Sequence, residues 1–157
     1  MNESEIVIRS ATKEDLKAII EIENKSLSDP WTDTMFVSHF SSNSGITLVA
    51  VSDETVCGYI NAYVVDGNVN DFDGECEIAN VAVDPNYRRM HIAEKLIDSL
   101  FLLASDRFCS KFFLEVRDTN LPAQKLYEKN GFVVYGRRKN YYNNPREDAI
   151  LMMREIK

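Results

Sequence analysis

This chain is short of cysteine, histidine and basic residues, and each shortage rules something out. Its three cysteines, Cys57, Cys76 and Cys109, are odd in number and far apart, with no C-x-x-C spacing. Neither a disulfide framework nor a zinc knuckle is indicated, and they read as reduced, mostly buried thiols. The two histidines, His39 and His91, make no metal constellation, so no metal is expected. With 18 Lys and Arg against 25 Asp and Glu, the formal net charge is -7. That balance argues against direct nucleic-acid binding or a membrane-surface role, and suits a cationic partner. No segment approaches the roughly 18 uninterrupted apolar residues of a membrane span. The start MNESEIVIRS has neither a basic n-region nor an apolar h-region, so a cytoplasmic protein is expected. There is no repeat or low-complexity tract, and the length of 157 residues fits one domain, 1–157.

What is present alternates between two periods. A short apolar strand candidate at 5–9 precedes Thr12, which with Asp15 three residues later makes a variant of the capping box. Helical spacing then predicts a helix over about 13–25 carrying Leu16, Ile19, Ile20 and Ile22. Asp29, Pro30, Trp31 and Thr32 break it, and Thr32 or Asp33 can cap a second short helix with Met35, Phe36, Val37 and Phe40. Trp31 is either a core or edge aromatic or, lying between two helices, part of a substrate mouth. Three strands rich in β-branched and aromatic residues follow at 46–51, 56–65 and 75–83, with a turn at 67–74. A helix over about 88–104 and a buried strand at 111–116 come next. Asn120 can cap a helix carrying Ala123, Leu126 and Tyr127 that Gly131 ends, and last strands fall at 132–138 and 149–155. The order β, α, α, β, β, β, α, β, α, β, β predicts an α/β sandwich with a mixed, mostly antiparallel sheet. Its strand-to-helix crossovers at Val83 and Val116 place a ligand cleft at strand carboxyl ends.

The stretch VAVDPNYRRMHIAEKL, residues 81–96, is the most informative. A strand ends at Asp84-Pro85, and Arg88 and Arg89 stand just before the helical run Ile92, Ala93, Leu96, Ile97 and Leu100. Unpartnered N–H groups at a helix start, the dipole and two guanidiniums together suit a phosphate or pyrophosphate. The plain alternative is a solvated basic turn before a core helix.

Three segments then carry a resemblance: VAVDPNYRRMHIA, LEVRDTNLPAQKLYEKNGF and the ending RRKNYYNNPREDAILM. Together they resemble the GNAT acyltransferases, and within them the RimI-like ribosomal-protein-alanine N-acetyltransferases. The resemblance implies a GNAT-type sheet of about seven strands and about four helices, split by a cleft for acetyl-CoA as acetyl donor. It implies that the backbone of Val81, Ala82 and Val83 pairs with the pantetheine arm as an added strand would. It also implies that Arg88, Arg89, Met90, His91, Ile92, Ala93 and Glu94 wrap the pyrophosphate, and that Asn120 reaches the pantetheine. In the family's Q/R-x-x-G-x-G/A loop Arg88 and Ala93 match, but His91 stands where glycine is usual, so crowding of the phosphate or an extra donor is expected there.

The partner implied is a basic protein N-terminus, that of a ribosomal protein. An α-amine with pKa about 7.7–8.0 is about a tenth to a fifth neutral at pH 7, whereas a lysine near 10.4 is almost wholly protonated. The resemblance marks Glu115 as base and Tyr127 as the acid that protonates the departing thiolate. A carboxyl near 4.3 falls about 3.5 units, roughly 5 kcal/mol, short of an ammonium, so Glu115 is expected to be desolvated and to titrate high. Otherwise Glu115 pairs with Arg117 or another cation, and Tyr127 is a core tyrosine beside Leu126. A backbone N–H near Val81 or Ala82 is expected to polarise the thioester carbonyl. Glu77 and Asn80 are candidates for ordering water. Tyr141 and Tyr142, with Glu147 and Asp148, either clasp the incoming peptide or form an aromatic hairpin with solvated acids. Rival functions are transfer to other N-termini, lysine or a small amine, an acyl-CoA-sensing module without turnover, and a subunit of a larger modification complex.

Overall fold

The computed structural model describes residues 5–27, 30–88 and 90–156. Seven strands form one sheet in the order β1-β2-β3-β4-β5-β7-β6. They are β1 (Ile6–Ser10), β2 (Gly45–Ser52), β3 (Thr55–Val65), β4 (Gly74–Val83), β5 (Cys109–Arg117), β6 (Val133–Tyr142) and β7 (Glu147–Glu155). Only β4 and β5 run parallel, with every other neighbouring pair antiparallel. Four helices complete the mixed α/β fold: α1 (Leu16–Ser26), α2 (Asp33–Ser41), α3 (Ile92–Ser105) and α4 (Leu121–Lys129). The expected fold class, a mostly antiparallel sheet of seven strands with four helices, is the observed one.

Local chemistry sets the boundaries. Thr12 and Asp15 make the expected capping box, closing a 3-10 turn (Lys13–Asp15) that leads into α1. The Thr32 hydroxyl accepts from the Met35 N–H at 3.2 Å, the Asn120 carbonyl from the Ala123 N–H at 3.2 Å, and Gly131 takes φ +90 after α4. Two expectations shift. The helix expected from residue 88 begins at Ile92, because Pro85–Tyr87 forms a separate 3-10 turn and His91 adopts the left-handed conformation (φ 57), which no helix interior admits. On α2 the buried side chains are Phe36 and His39, while Met35 and Val37 face solvent.

The sheet has a core on each face. On one side α3, Tyr127 and Phe132 pack on Ile60, Cys76, Ile78, Phe112 and Leu114. On the other, Ile19, Ile22 and Phe36 from α1 and α2 pack on Val49, Tyr59 and Ala82. All three cysteines are buried and free. No helix among the described residues is long and apolar enough to cross a membrane.

β4 changes phase between these cores. Its register with β3 runs Ala62↔Ile78 and then Asn61↔Asn80, so Ala79 is an extra residue, a β-bulge. Strict alternation would put Asn80 and Ala82 on the α3 face with Cys76 and Ile78. The bulge instead turns Ala82 into the α1 core and Asn80 towards α1, and gives Val81 and Val83 to the α3 side.

Candidate active site

The same bulge opens a notch. β4 pairs with β5 only as far as Ile78↔Leu114, while β5 continues along β7 to Arg117↔Ala149. Beyond residue 78 one edge of β4 has no strand beside it. The Asp84 N–H donates to the Cys57 carbonyl on β3 at 2.8 Å, so alternation turns the N–H and C=O groups of Val83 and Val81 outward and those of Ala82 towards β3. A cleft of about 720 Å³ occupies the gap, walled by β4, the start of α3, α4 and the end of β5. Val81, Ala82, Val83, Arg88, His91, Ile92, Ala93, Glu94, Asn120, Glu115, Tyr127, Trp31, Asn80 and Tyr142 all line it.

At the α3 end the site is built for an anion. Among the described residues no side chain caps α3, so its first-turn N–H groups, Ile92 to Glu94, find no acceptor there, and the dipole adds positive potential. Left-handed φ at His91 is the conformation glycine supplies freely, which shows why glycine suits this position. The imidazole does not fill the cradle: it is 68% exposed, with Nδ1 3.6 Å from Glu94. Arg88 reaches back to the Val83 carbonyl at 3.5 Å. Met90 packs against the α3 core, and Arg89 lies outside the described residues. Asn120 uses its carbonyl as the α4 cap, leaving its amide N–H₂ for the cleft. A free strand edge leading to an uncapped helix start fits a pantetheine arm and its pyrophosphate. Among the described residues no group of His, Cys, Asp and Glu could hold a metal ion.

The other end carries the reactive side chains. Tyr127 is buried, its ring 5.9 Å from Phe132, and burial pushes its pKa well above the ordinary tyrosine value. Among the described residues its hydroxyl has no hydrogen-bond partner, and it faces the cleft. Glu115 lines this cleft and also a second groove of about 590 Å³. The expected apolar surroundings are not what the structure shows: the Glu115 side chain, 21% exposed, has Arg138 Nε 3.7 Å away and the Tyr141 hydroxyl beside it.

The remaining candidates divide between the two cavities. Tyr142 lines the cleft beneath the Arg117 guanidinium, 4.4 Å from its ring centroid, and burial foremost pushes its pKa up to about 12. Tyr141 and Glu77 line the second groove, with Tyr63, Glu75, Phe113, Tyr135 and Arg138. Trp31 packs on Phe36 at 5.2 Å and on His39 at 5.5 Å and also borders the cleft. Glu147 and Asp148 are not free to clasp a peptide. Glu147 accepts from the Thr119 N–H at 2.7 Å, from its hydroxyl and from Arg117, while Asp148 accepts from the Asn140 N–H and Arg137. Those bonds hold both carboxyls below the usual range.

One residue escaped the sequence reading. Glu23, fully buried in the last turn of α1, accepts from the Trp31 N–H at 2.7 Å, from the Tyr59 hydroxyl and from Asn80 Nδ2 at 2.8 and 2.9 Å. The signal was present: Ile19, Ile22 and Glu23 share the i, i+3, i+4 spacing of a buried face, so an acid sits at a core position.

Comparison with known proteins agrees with this geometry. Residues 16–132 match the Acetyltransferase (GNAT) family. The [ribosomal protein bS18]-alanine N-acetyltransferase of Escherichia coli (strain K12) is 34% identical over 147 residues, 92% of this chain and 94% of that protein. An N-alpha-acetyltransferase of Saccharolobus solfataricus is 32% identical over 158 residues, 97% of this chain and 94% of that protein. The crystal structure of the ribosomal-protein-S18-alanine N-acetyltransferase from Escherichia coli superposes with a TM-score of 0.85 at 30% identity, covering 98% of this chain and 95% of that one.

Proposed function

The chain belongs to the acetyltransferase (GNAT) family, and from that premise we propose that it acetylates the N-terminal α-amine of a protein, the acceptor being the terminal alanine of a ribosomal protein. It is an acetyl-CoA-dependent N-acetyltransferase. The observation that carries the reading is the single cleft joining the unpaired β4 edge and uncapped α3 start to Glu115 and Tyr127. The bS18-alanine specificity in the E. coli relative's name supports the acceptor. On this reading residues 1–157 are one cytoplasmic transferase domain.

Acetyl-CoA supplies an acyl carbon activated as a thioester. The outward N–H and C=O groups of Val81 and Val83 would bind the pantetheine amides, the outward Val81 N–H would polarise the thioester carbonyl, and the N–H groups of Ile92 to Glu94 with Arg88 would hold the pyrophosphate. Glu115 need not strip a proton from an ammonium, which for an ordinary carboxyl is roughly 5 kcal/mol uphill. About a tenth to a fifth of an α-amine is already neutral at pH 7. As its nitrogen bonds to the acyl carbon it becomes strongly acidic, and Glu115, directly or through a water, accepts the proton then. Tyr127, made a weaker acid by burial, steadies the departing sulfur with a hydrogen bond in preference to a full proton transfer.

The peptide's following residues leave through the second groove, where Tyr63, Tyr135 and Tyr141 offer apolar surface and Glu75 and Glu77 suit basic side chains. Mass spectrometry of alanine-initiated basic peptides incubated with acetyl-CoA tests the reading. Acetylation of free but not blocked N-termini is expected, falling about 10²-fold or more in Glu115→Gln and less in Tyr127→Phe. Modification of lysine or small amines alone would replace the acceptor, and no turnover with any amine would leave only an acyl-CoA-binding module.

A further inference from the structure

We infer that the side-chain carbonyl of Asn80 accepts a hydrogen bond from the N–H of the acceptor amine, and that buried Glu23 is the positioning residue that aims it. The inference rests on the N-terminal acetyltransfer reading and assigns part of its acceptor site.

Asn80 is 7% exposed and borders the cleft, two residues beyond the last β4–β5 pair and across the gap from Glu115. Both oxygens of Glu23 accept from Asn80 Nδ2, at 2.8 and 2.9 Å. An amide with its nitrogen committed to a carboxylate cannot flip, because a flip would set oxygen against oxygen. The Asn80 carbonyl must therefore point away from Glu23, and it is a buried acceptor without a hydrogen-bond partner among the described residues. Buried unpaired acceptors are uncommon and costly, so one held in place at a ligand cleft has a donor to receive.

Glu23 itself has the marks of a device for orientation. It is fully buried, no cation forms an ion pair with it among the described residues, and its hydrogen bonds join four parts of the fold: α1, the loop before α2, β3 and β4. The bulge at Ala79 is what rotates Asn80 onto the α1 face within its reach. The donor that fits is a primary amine or ammonium arriving beside Glu115. Glu115 takes the proton that leaves, and Asn80 holds an N–H that stays, fixing the nitrogen lone pair towards the acyl carbon.

The test compares two peptides binding to the CoA-loaded protein, one with a free N-terminal alanine and one in which a hydrogen replaces that amino group. Asn80→Ser is expected to weaken the amine-bearing peptide about tenfold and to leave the des-amino peptide within twofold. Glu23→Gln, which keeps shape and removes charge, carries the same selective loss at smaller size and decides the matter if Asn80→Ser does not fold. Equal losses for both peptides, or none, would overturn the inference, since a merely structural role cannot sense one amino group. Failure of wild type to acetylate free N-termini would instead overturn the acetyltransfer reading beneath it.

Discussion

The two halves of β4 are made of similar residues and do opposite work. From Gly74 to Ile78 the strand is paired on both edges and sends Cys76 and Ile78 into the α3 core. From Asn80 to Val83 it is paired on one edge only, and its free groups face the cleft. One inserted residue, Ala79, separates them. The inner half has its backbone groups spent on both neighbours, whereas the outer half keeps one edge that a ligand can use, since groups already satisfied cannot serve one.

The sharpest way to break that contrast is to delete Ala79. The deletion keeps Asn80 opposite Asn61 on the α1 face but removes the irregularity at which β4 parts from β5, so the variant should close the notch and lose measurable acetyl-CoA binding by calorimetry, even where circular dichroism shows a folded sheet. Next in size, Ile78→Ala in the inner half should cost about 2–5 kcal/mol in denaturant unfolding while leaving acetyl-CoA affinity of the folded protein unchanged.

Acid should loosen the α1–α2 side that supports the outer half. His39, buried beneath Trp31 and Tyr63 with Nε2 bonded to the Ile46 carbonyl, has its pKa lowered chiefly by burial. Below its ordinary value of about 6.5 the unfolded chain binds a proton that the folded one resists, so stability is lost as pH falls from there. A thermal melt series from pH 7.5 to 5 should show that decline, and His39→Phe should flatten it. The smallest effect belongs to His91→Gly. Relief of left-handed strain should raise stability by about 1 kcal/mol, and with the imidazole turned to solvent, acetyl-CoA affinity should stay within twofold. A marked gain in affinity would restore the crowding explanation.

How much of this was legible follows from which interactions are local. Caps at Thr32 and Asn120, the stop at Gly131 and the strands from 46 to 83 were readable because turn chemistry and period are written within a few residues. The strand, turn and helix of residues 81–96 were readable from the proline stop and the helical spacing that follows it. What was hidden depends on partners distant in sequence. Glu23 meets Asn80 across 57 positions, and only after a bulge that alternating C-E-I-A-N-V-A-V does not announce. Glu115 was expected in an apolar pocket because its strand neighbours are apolar, yet Arg138 and Tyr141 come from β6, on the far side of β7. Glu147 and Asp148 looked available in a polar loop, but Thr119, Arg117 and Arg137 already hold them.

Glu115 is a party wall with a chamber on either side. Donor and acceptor can then arrive through separate entrances, and neither has to vacate the protein before the other comes in. Initial-rate lines at varied concentrations of the two should intersect, with no parallel pattern of a stored acyl group, and peptide should depart while CoA is still in place.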